Sequence, residues 1–456
     1  MTTANPYLSG AFAPVTEEVT ATDLPVDGSL PEALDGRYLR NGPNPIGADP
    51  ATYHWFVGDG MVHGVRLRDG RAEWYRNRWV RSGRSCELLG VPDPGGPVTE
   101  GMDTSPNTNV VGHAGRTFAV VEAGAKPVEL TDDLETVGRT DFGGALPHGY
   151  SAHPKLDPVT GELHAASYFL GNPDVIEYTV LGPDAQLRRL EQVPVPGCPM
   201  VHDMSLTERY AVFYDLPVTF HLEEVMAGAA FPYVWDEGYG ARVGVLPRGG
   251  QGTDDLRWFE VGPCYVFHPL NAYDAVGADG HELVVLDVVR HPRMFDRNRN
   301  GPDEGPSSLW RWTLDLTAGT VAERQLDDRP LEFPRVDERV VGRPHRYGWA
   351  VGLSVDDGRV GFDDSRVLRY DLQTGDCVER QFGRGRAVGE PVFVPSSPDS
   401  PEDDGWVLTL VADPDRGASD LWVLHAADPA GDPAAVVHLP ARVPLGFHGN
   451  WVPTPG

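Results

Sequence analysis

Four histidines stand where chemistry could be done: His153 in "SAHPKLDP", His202 in "CPMVHDMSLT", His268 in "YVFHPLNAYD" and His448 in "GFHGNWVP". Each sits beside proline, glycine or aspartate at the end of a strand-like run and is flanked by apolar or aromatic residues. An imidazole in such a place can act as acid, base or metal ligand. Four together would make an all-nitrogen site suited to a divalent transition metal, without selecting iron over zinc or nickel. Spacing alone does not single them out, because His54, His63, His148 and His164 have comparable surroundings among the fifteen histidines. Three glutamates narrow the choice. Glu122 in "AVVEAGAKP", Glu332 in "PLEFPRVD" and Glu390 in "VGEPVFVP" interrupt apolar strands, and a buried carboxylate is costly unless it is paired or hydrogen-bonded. Two kinds of partner are open: the distal N–H of a metal-bound imidazole, or an arginine or backbone nest. Arg335, close to Glu332, keeps the second open for that residue.

Residues so far apart in sequence need a fold that brings strand ends together. Gly (53) and Pro (42) are spread evenly and punctuate short apolar–polar runs, the pattern of many strands joined by turns. "RTFAVVEAG", "GELHAASYF", "RYAVFYDLP", "HELVVLDVV" and "WVLTLVADP" all read as strands, and "FHLEEVMAGAA" near 220 is the one helical candidate. An internal echo is visible. "LWRWTLDLTAGTVAERQL" (309–326) and "RVLRYDLQTGDCVERQF" (366–382) share a strand, a turn and a returning strand, and "KLDPVTGELHAA" (155–166) repeats the turn. Hairpins recurring in this way predict an all-β propeller, in which strand ends near the axis converge. "SSPDSPEDDG" (396–405) and "FDRNRNGPDEGPSS" (295–308) read as exposed loops, so residues 1–456 are expected to form a single domain.

Composition limits the partners. The 456-residue chain carries a formal charge of -29, which argues against nucleic acid or an anionic membrane surface as the main partner. The start, "MTTANPYLSG", lacks the basic and apolar regions of a signal peptide, and no apolar run is long enough for a spanning helix. The four cysteines (Cys86, Cys198, Cys264, Cys377) form no CxxC pair and read as reduced thiols of a cytoplasmic protein. No Ser-His-Asp order or phosphate loop competes, and "GDGMVHG" lacks the spacing of a dinucleotide fingerprint.

The chain resembles the carotenoid cleavage oxygenases, a family that includes apocarotenoid and lignostilbene dioxygenases. The resemblance runs from "GRYLRNGPNP" (36–45) through "HWFVGDGMVHGVRL" and "YRNRWVRS" to the closing "FHGNWVP". It implies a seven-bladed β-propeller with an axial metal site and a loop or helical cap over a substrate tunnel. It also implies Fe(2+) held by His153, His202, His268 and His448, with Glu122, Glu332 and Glu390 behind the ligands. Phe56 matches an aromatic residue that stacks on substrate in the family, and a core-packing reading stands equally beside it. Two positions depart from the pattern. Val57 stands where the family often has aspartate. Val121 stands where stilbene-cleaving members carry a lysine that contacts the substrate phenol, and valine can neither donate a hydrogen bond nor carry charge. The expected function is therefore dioxygen-dependent cleavage of an apolar, apocarotenoid-like alkene into two carbonyl products. Such a substrate leaves room for a transient membrane contact during uptake. Cleavage of stilbene or phenylpropenoid alkenes, alkene isomerisation, and an inactive propeller serving as a binding scaffold are the alternatives.

Overall fold

The computed structural model describes residues 5–99, 101–299, 301–356 and 359–454. Among these, seven antiparallel sheets of four or five strands, with a two-stranded ribbon (Val218–Phe220 with Tyr233–Trp235), account for the strands. The sheets are the blades of a β-propeller. Many successive strands within a blade are joined by short turns, with long connections at 216–241 in the fourth blade and 291–307 in the fifth, and the core lies between blades rather than inside one. Leu39, Val62, Val110 and Val128 pack the first blade on the second. Leu270, Val289, Ala350 and Leu368 pack the fifth on the sixth. Trp349 lies flat on Phe393 across the sixth and seventh (4.9 Å between ring centres, 11° between planes). Such a pair adds about 0.5–1.5 kcal/mol beyond the area it buries.

The ring is closed twice. Thr20–Thr22 pairs with Arg71–Trp79 at the outer edge of the first blade, and Val26–Gly28 pairs with Ala435–His438 at the outer edge of the seventh. At the centre, Gly449–Pro453 joins Gly36–Pro43 as the innermost strand of the first blade. A barrel or ring that closes on itself in this way leaves no free sheet edge between first and last blades.

Seven polar side chains stand where the innermost strands begin. Thr108, His153, His202, His268 and His448 immediately precede, by one or two residues, the strands starting at 109, 155, 204, 269 and 449. Glu390 precedes the strand starting at 392, and Glu332 is the second residue of Leu331–Arg335. Equivalent positions in seven blades thus carry four histidines, two glutamates and a threonine. Glu122 stands apart, just after Arg116–Val120 in the second blade.

The strand-like runs named above are all strands. The echoes are not all equivalent. Residues 309–326 and 366–382 are the outer hairpins of the fifth and sixth blades, whereas 155–166 is the inner hairpin of the third. Two other expectations need correction. A second helix, Gly83–Leu89, joins Leu222–Met226; Ser82 and Ser85 cap its start reciprocally and Gly90 ends it in the left-handed conformation. Its apolar face is too short to register as periodicity. Residues 295–308 are not simply exposed, since Phe295, Ser307 and Glu304 are buried. Glu304 accepts the backbone N–H groups of Arg297 and Asn298, which folds the segment inward over the cavity described next.

Candidate metal centre and cavity

The four histidines meet at the ring's centre, all buried, with ligand-capable atoms within 4.8 Å of one another. His202 Nε2 lies 3.1 Å from His153 Nε2 and 3.2 Å from His268 Nε2. His448 crosses His153 nearly at right angles, with ring centres 4.4 Å apart. Behind three of the rings stand the three glutamates. His202 Nδ1 is 3.0 Å from both oxygens of Glu122, His268 Nδ1 is 2.5 Å from Glu332, and His448 Nδ1 is 3.0 Å from Glu390. Arg335 corrects one expectation: it pairs with Glu390 (3.0 Å), not with Glu332.

Local backbone aims two of these carboxylates. The residues that follow them, Ala123 (φ 64°) and Phe333 (φ 53°), are left-handed, a strained state for non-glycine residues that persists where surroundings enforce it. Phe333 is held against the rings of both His268 and His448, at 5.3 Å from each. Behind Glu122, a Cβ on Gly149 would fall 2.3 Å from Gly124 Cα, so only glycine lets those two loops meet.

Electrostatics follow from burial. Desolvation pushes His268 down to about 3 and His153 well below its ordinary value, so both imidazoles are neutral. Burial also opposes charge on His202, but the Glu122 charge and hydrogen bond leave it raised. Burial would raise Glu332 and Glu390. The facing histidines, with Arg335 for Glu390, outweigh it and hold Glu332 well below the carboxylate range and Glu390 at about 2.

The donor set fits a metal. A carboxylate only accepts, so each glutamate fixes its partner's proton on Nδ1 and turns the Nε2 lone pair inward. For His202 and His268, whose protons are both held on Nδ1, lone pairs facing one another at 3.2 Å call for a cation. Two nitrogens about 2.1 Å from a shared ion lie about 3.0 Å apart at a right angle and about 3.4 Å apart at a tetrahedral one. The observed spacings of 3.1 and 3.2 Å lie between the two, within reach of a shared ion.

His202, His268 and His448 also line a cavity of about 590 Å³, within the range of small-molecule sites. Its wall is largely aromatic, with Tyr7, Phe12, Trp55, Phe56, Phe231 and Phe447 among the lining residues. Phe56 packs edge-on against Phe231, Phe267, Phe295 and Phe447 while facing the cavity, so both of its readings fit its position. Val121 lines the cavity beside Glu122. Val57 is exposed at the mouth.

The other histidines are accounted for elsewhere. His63 and His164 bond Tyr75 and Tyr178, His148 bonds Glu177, and His54 Nδ1 accepts the Phe56 N–H. Arg242 pairs with Asp215 and covers Trp258, a structural role. The four cysteines are free thiols. Sequence reasoning missed two residues of this region: Thr108, whose equivalence to the histidines shows only once the blades are aligned, and His291, which bonds Glu332.

Fold and cluster together define a β-propeller with a four-imidazole site on its axis. Comparison with known proteins places that class. A family model described as "Retinal pigment epithelial membrane protein" matches residues 12–453. The carotenoid cleavage oxygenase of Mycobacterium tuberculosis is 47% identical, over 99% of this chain and 98% of its own. The crystal structure of the lignostilbene dioxygenase of Pseudomonas brassicacearum superposes with a TM-score of 0.87 at 30% identity, over 98% of both chains. The cobalt-substituted apocarotenoid oxygenase of Synechocystis gives 0.85 at 29%, over 97% of both. The chain belongs to the carotenoid cleavage oxygenase family. It is an enzyme of that iron- and dioxygen-dependent type, with a buried four-histidine group able to bind a metal. Among the described residues, no helix is long and apolar enough to cross a membrane.

Proposed function

We propose that this chain, as a single propeller domain acting in the cytoplasm, is an Fe(2+) dioxygenase that cleaves the double bond of an extended apolar, apocarotenoid-like alkene into two carbonyl products. The observation that carries this reading is the juxtaposition of an aromatic-walled cavity with three of four inward-facing imidazoles. His153, His202, His268 and His448 would hold the iron. Four neutral ligands leave the ion its full charge, which suits it to binding and activating dioxygen.

The chain's own residues do the rest. Glu122, Glu332 and Glu390 fix the imidazole orientations and raise their basicity. Aromatic walls orient an alkene beside the cluster and exclude water, so that most of the advantage comes from positioning. Phe56 is placed to stack on the bound chain. Val121 offers no donor to a phenol, so selection rests on shape and apolar burial, worth about 1–3 kcal/mol per methylene. Several apocarotenoids of different length should therefore be accepted. The second reading, cleavage of stilbenes or phenylpropenoids, is favoured by the likeness to the lignostilbene dioxygenase.

A panel of apocarotenoids, 4-hydroxystilbenes and vinylphenols, assayed for aldehyde products with and without dioxygen, separates the two. Faster turnover of the hydroxystilbenes or vinylphenols would overturn the substrate assignment. Carbonyl products without oxygen uptake, or an isomerised alkene, would overturn the reaction. In the expected case Val121→Lys gains activity on substrates with a 4-hydroxyl group.

A further inference from the structure

The three glutamates differ in what holds the rest of the carboxylate. Glu390 gives its second oxygen to Arg335 (3.0 Å) and to the Gly449 N–H (2.9 Å). Glu122 has no hydrogen-bond partner besides His202 among the described residues. Glu332 gives its second oxygen to His291 Nε2 at 2.6 Å. His291 follows Glu282–Arg290 in the fifth blade, the blade that also carries His268. A glutamate of the sixth blade is thus clamped between two imidazoles of the fifth.

His291 is built into its place. Its backbone exchanges two hydrogen bonds with Tyr265, at 2.9 and 2.8 Å. Its ring meets Phe267 edge-on at 5.3 Å, and Phe267 in turn packs on His202. Because Glu332 only accepts, His291 carries its proton on Nε2, and its buried Nδ1 is left as an acceptor with no partner. An unsatisfied buried acceptor is destabilising, which an apolar side chain of the same shape would avoid. Without His291 the carboxylate would be held through Oε2 alone, by His268 Nδ1 and the Phe333 N–H; a donor on Oε1 holds the other oxygen as well and stops rotation about the last torsion.

We propose that His291 is a positioning residue, whose Nε2–H fixes the Glu332 carboxylate so that it takes the His268 Nδ1 proton and keeps His268 Nε2 aimed at the centre of the cluster. This rests on the cluster being a metal site.

Cobalt(II) titration of metal-free protein against a competing chelator tests it. His291→Phe keeps the ring and removes the donor. It is expected to bind cobalt about 10- to 100-fold more weakly and to change the visible absorption of the bound ion. His291→Gln, whose amide can donate to Glu332, should recover most of both. A phenylalanine variant with unchanged affinity and spectrum overturns the role of His291, as does a folded glutamine variant no better than phenylalanine. Nitrogen NMR of the wild type gives a reading that needs no variant: the expected Nε2–H form of His291 supports the clamp, and the Nδ1–H form overturns it. Wild-type protein that binds no cobalt would instead remove the metal reading on which the clamp depends.

Discussion

His268 and His153 face one another across the same cluster, yet the protein holds them differently. His268 lines the cavity, bonds Glu332 at 2.5 Å, and is backed by a carboxylate that His291 and the Phe333 N–H hold in turn. His153 does not line the cavity. The carboxylate closest to its Nδ1, that of Asp203, is 3.7 Å away and already committed to Lys155 and the Met204 N–H. On the cavity side, ring orientation comes from charged hydrogen bonds. On the far side it comes from enclosure, with His202 and His448 packed against the ring and the His153 backbone N–H held by Ser151 Oγ. The difference teaches that carboxylate support is concentrated where a substrate would press on the ligands.

The largest effects should ignore this asymmetry. His153→Ala, His202→Ala and His268→Ala should each abolish iron retention and turnover, because every one of them removes a donor nitrogen; elemental analysis of the purified variants checks it. Full iron occupancy in any of them takes that residue off the ligand list. Next, Glu332→Gln and Glu390→Gln should weaken metal affinity or activity by about 10- to 100-fold while the chains stay folded. Asp203→Asn should leave metal affinity near wild type and show instead in the melting temperature, since Lys155 loses its partner. Equal loss of affinity in Asp203→Asn and Glu332→Gln would erase the distinction between the two sides.

A smaller effect concerns imidazoles outside the cluster. Burial pushes His54 and His164 down to about 3 from an ordinary 6.5, so both are neutral in the folded chain. Below 6.5 the unfolded chain takes up protons that the folded one refuses. Their contribution to stability is therefore complete above 6.5 and lost as pH falls towards 3. At pH 5 the loss is about 2 kcal/mol for each fully buried ring. Melting of metal-free protein between pH 7 and pH 5 should show the slope, to which His153 and His268 add, and His54→Phe should reduce it by one imidazole's share.

The parts of this site that were legible in sequence are those with a local signature. A histidine beside proline, glycine or aspartate at a strand boundary is legible, though it reads as a strand end where the structure has the start of an innermost strand, and a glutamate inside an apolar run marks a carboxylate that must have a partner. The partners themselves were not legible. Arg335 lies three residues from Glu332 but turns to Glu390, because a bulge between them, with Phe333 in the left-handed conformation, breaks the strand's alternation. His291 carries a similar mark, with Pro292 beside it after the strand Glu282–Arg290, but that strand is not the innermost of its blade, and a histidine has many ordinary uses. The helix Gly83–Leu89 was hidden by its brevity, while its serine cap and closing glycine were there to be read. Residues 295–308 looked like solvent loop by composition, and only the burial of Phe295 and Glu304 shows them folded onto the protein.

The strand that closes the ring has a consequence for the order of events in synthesis. His448 precedes Gly449–Pro453, which completes the first blade against Gly36–Pro43. A growing chain therefore carries three of the four imidazoles long before it carries the fourth, and its first blade stays open until Gly449–Pro453 is made. Capture of an ion by all four imidazoles and ring closure wait on the same strand, so tight retention of the ion would report that the whole propeller has assembled.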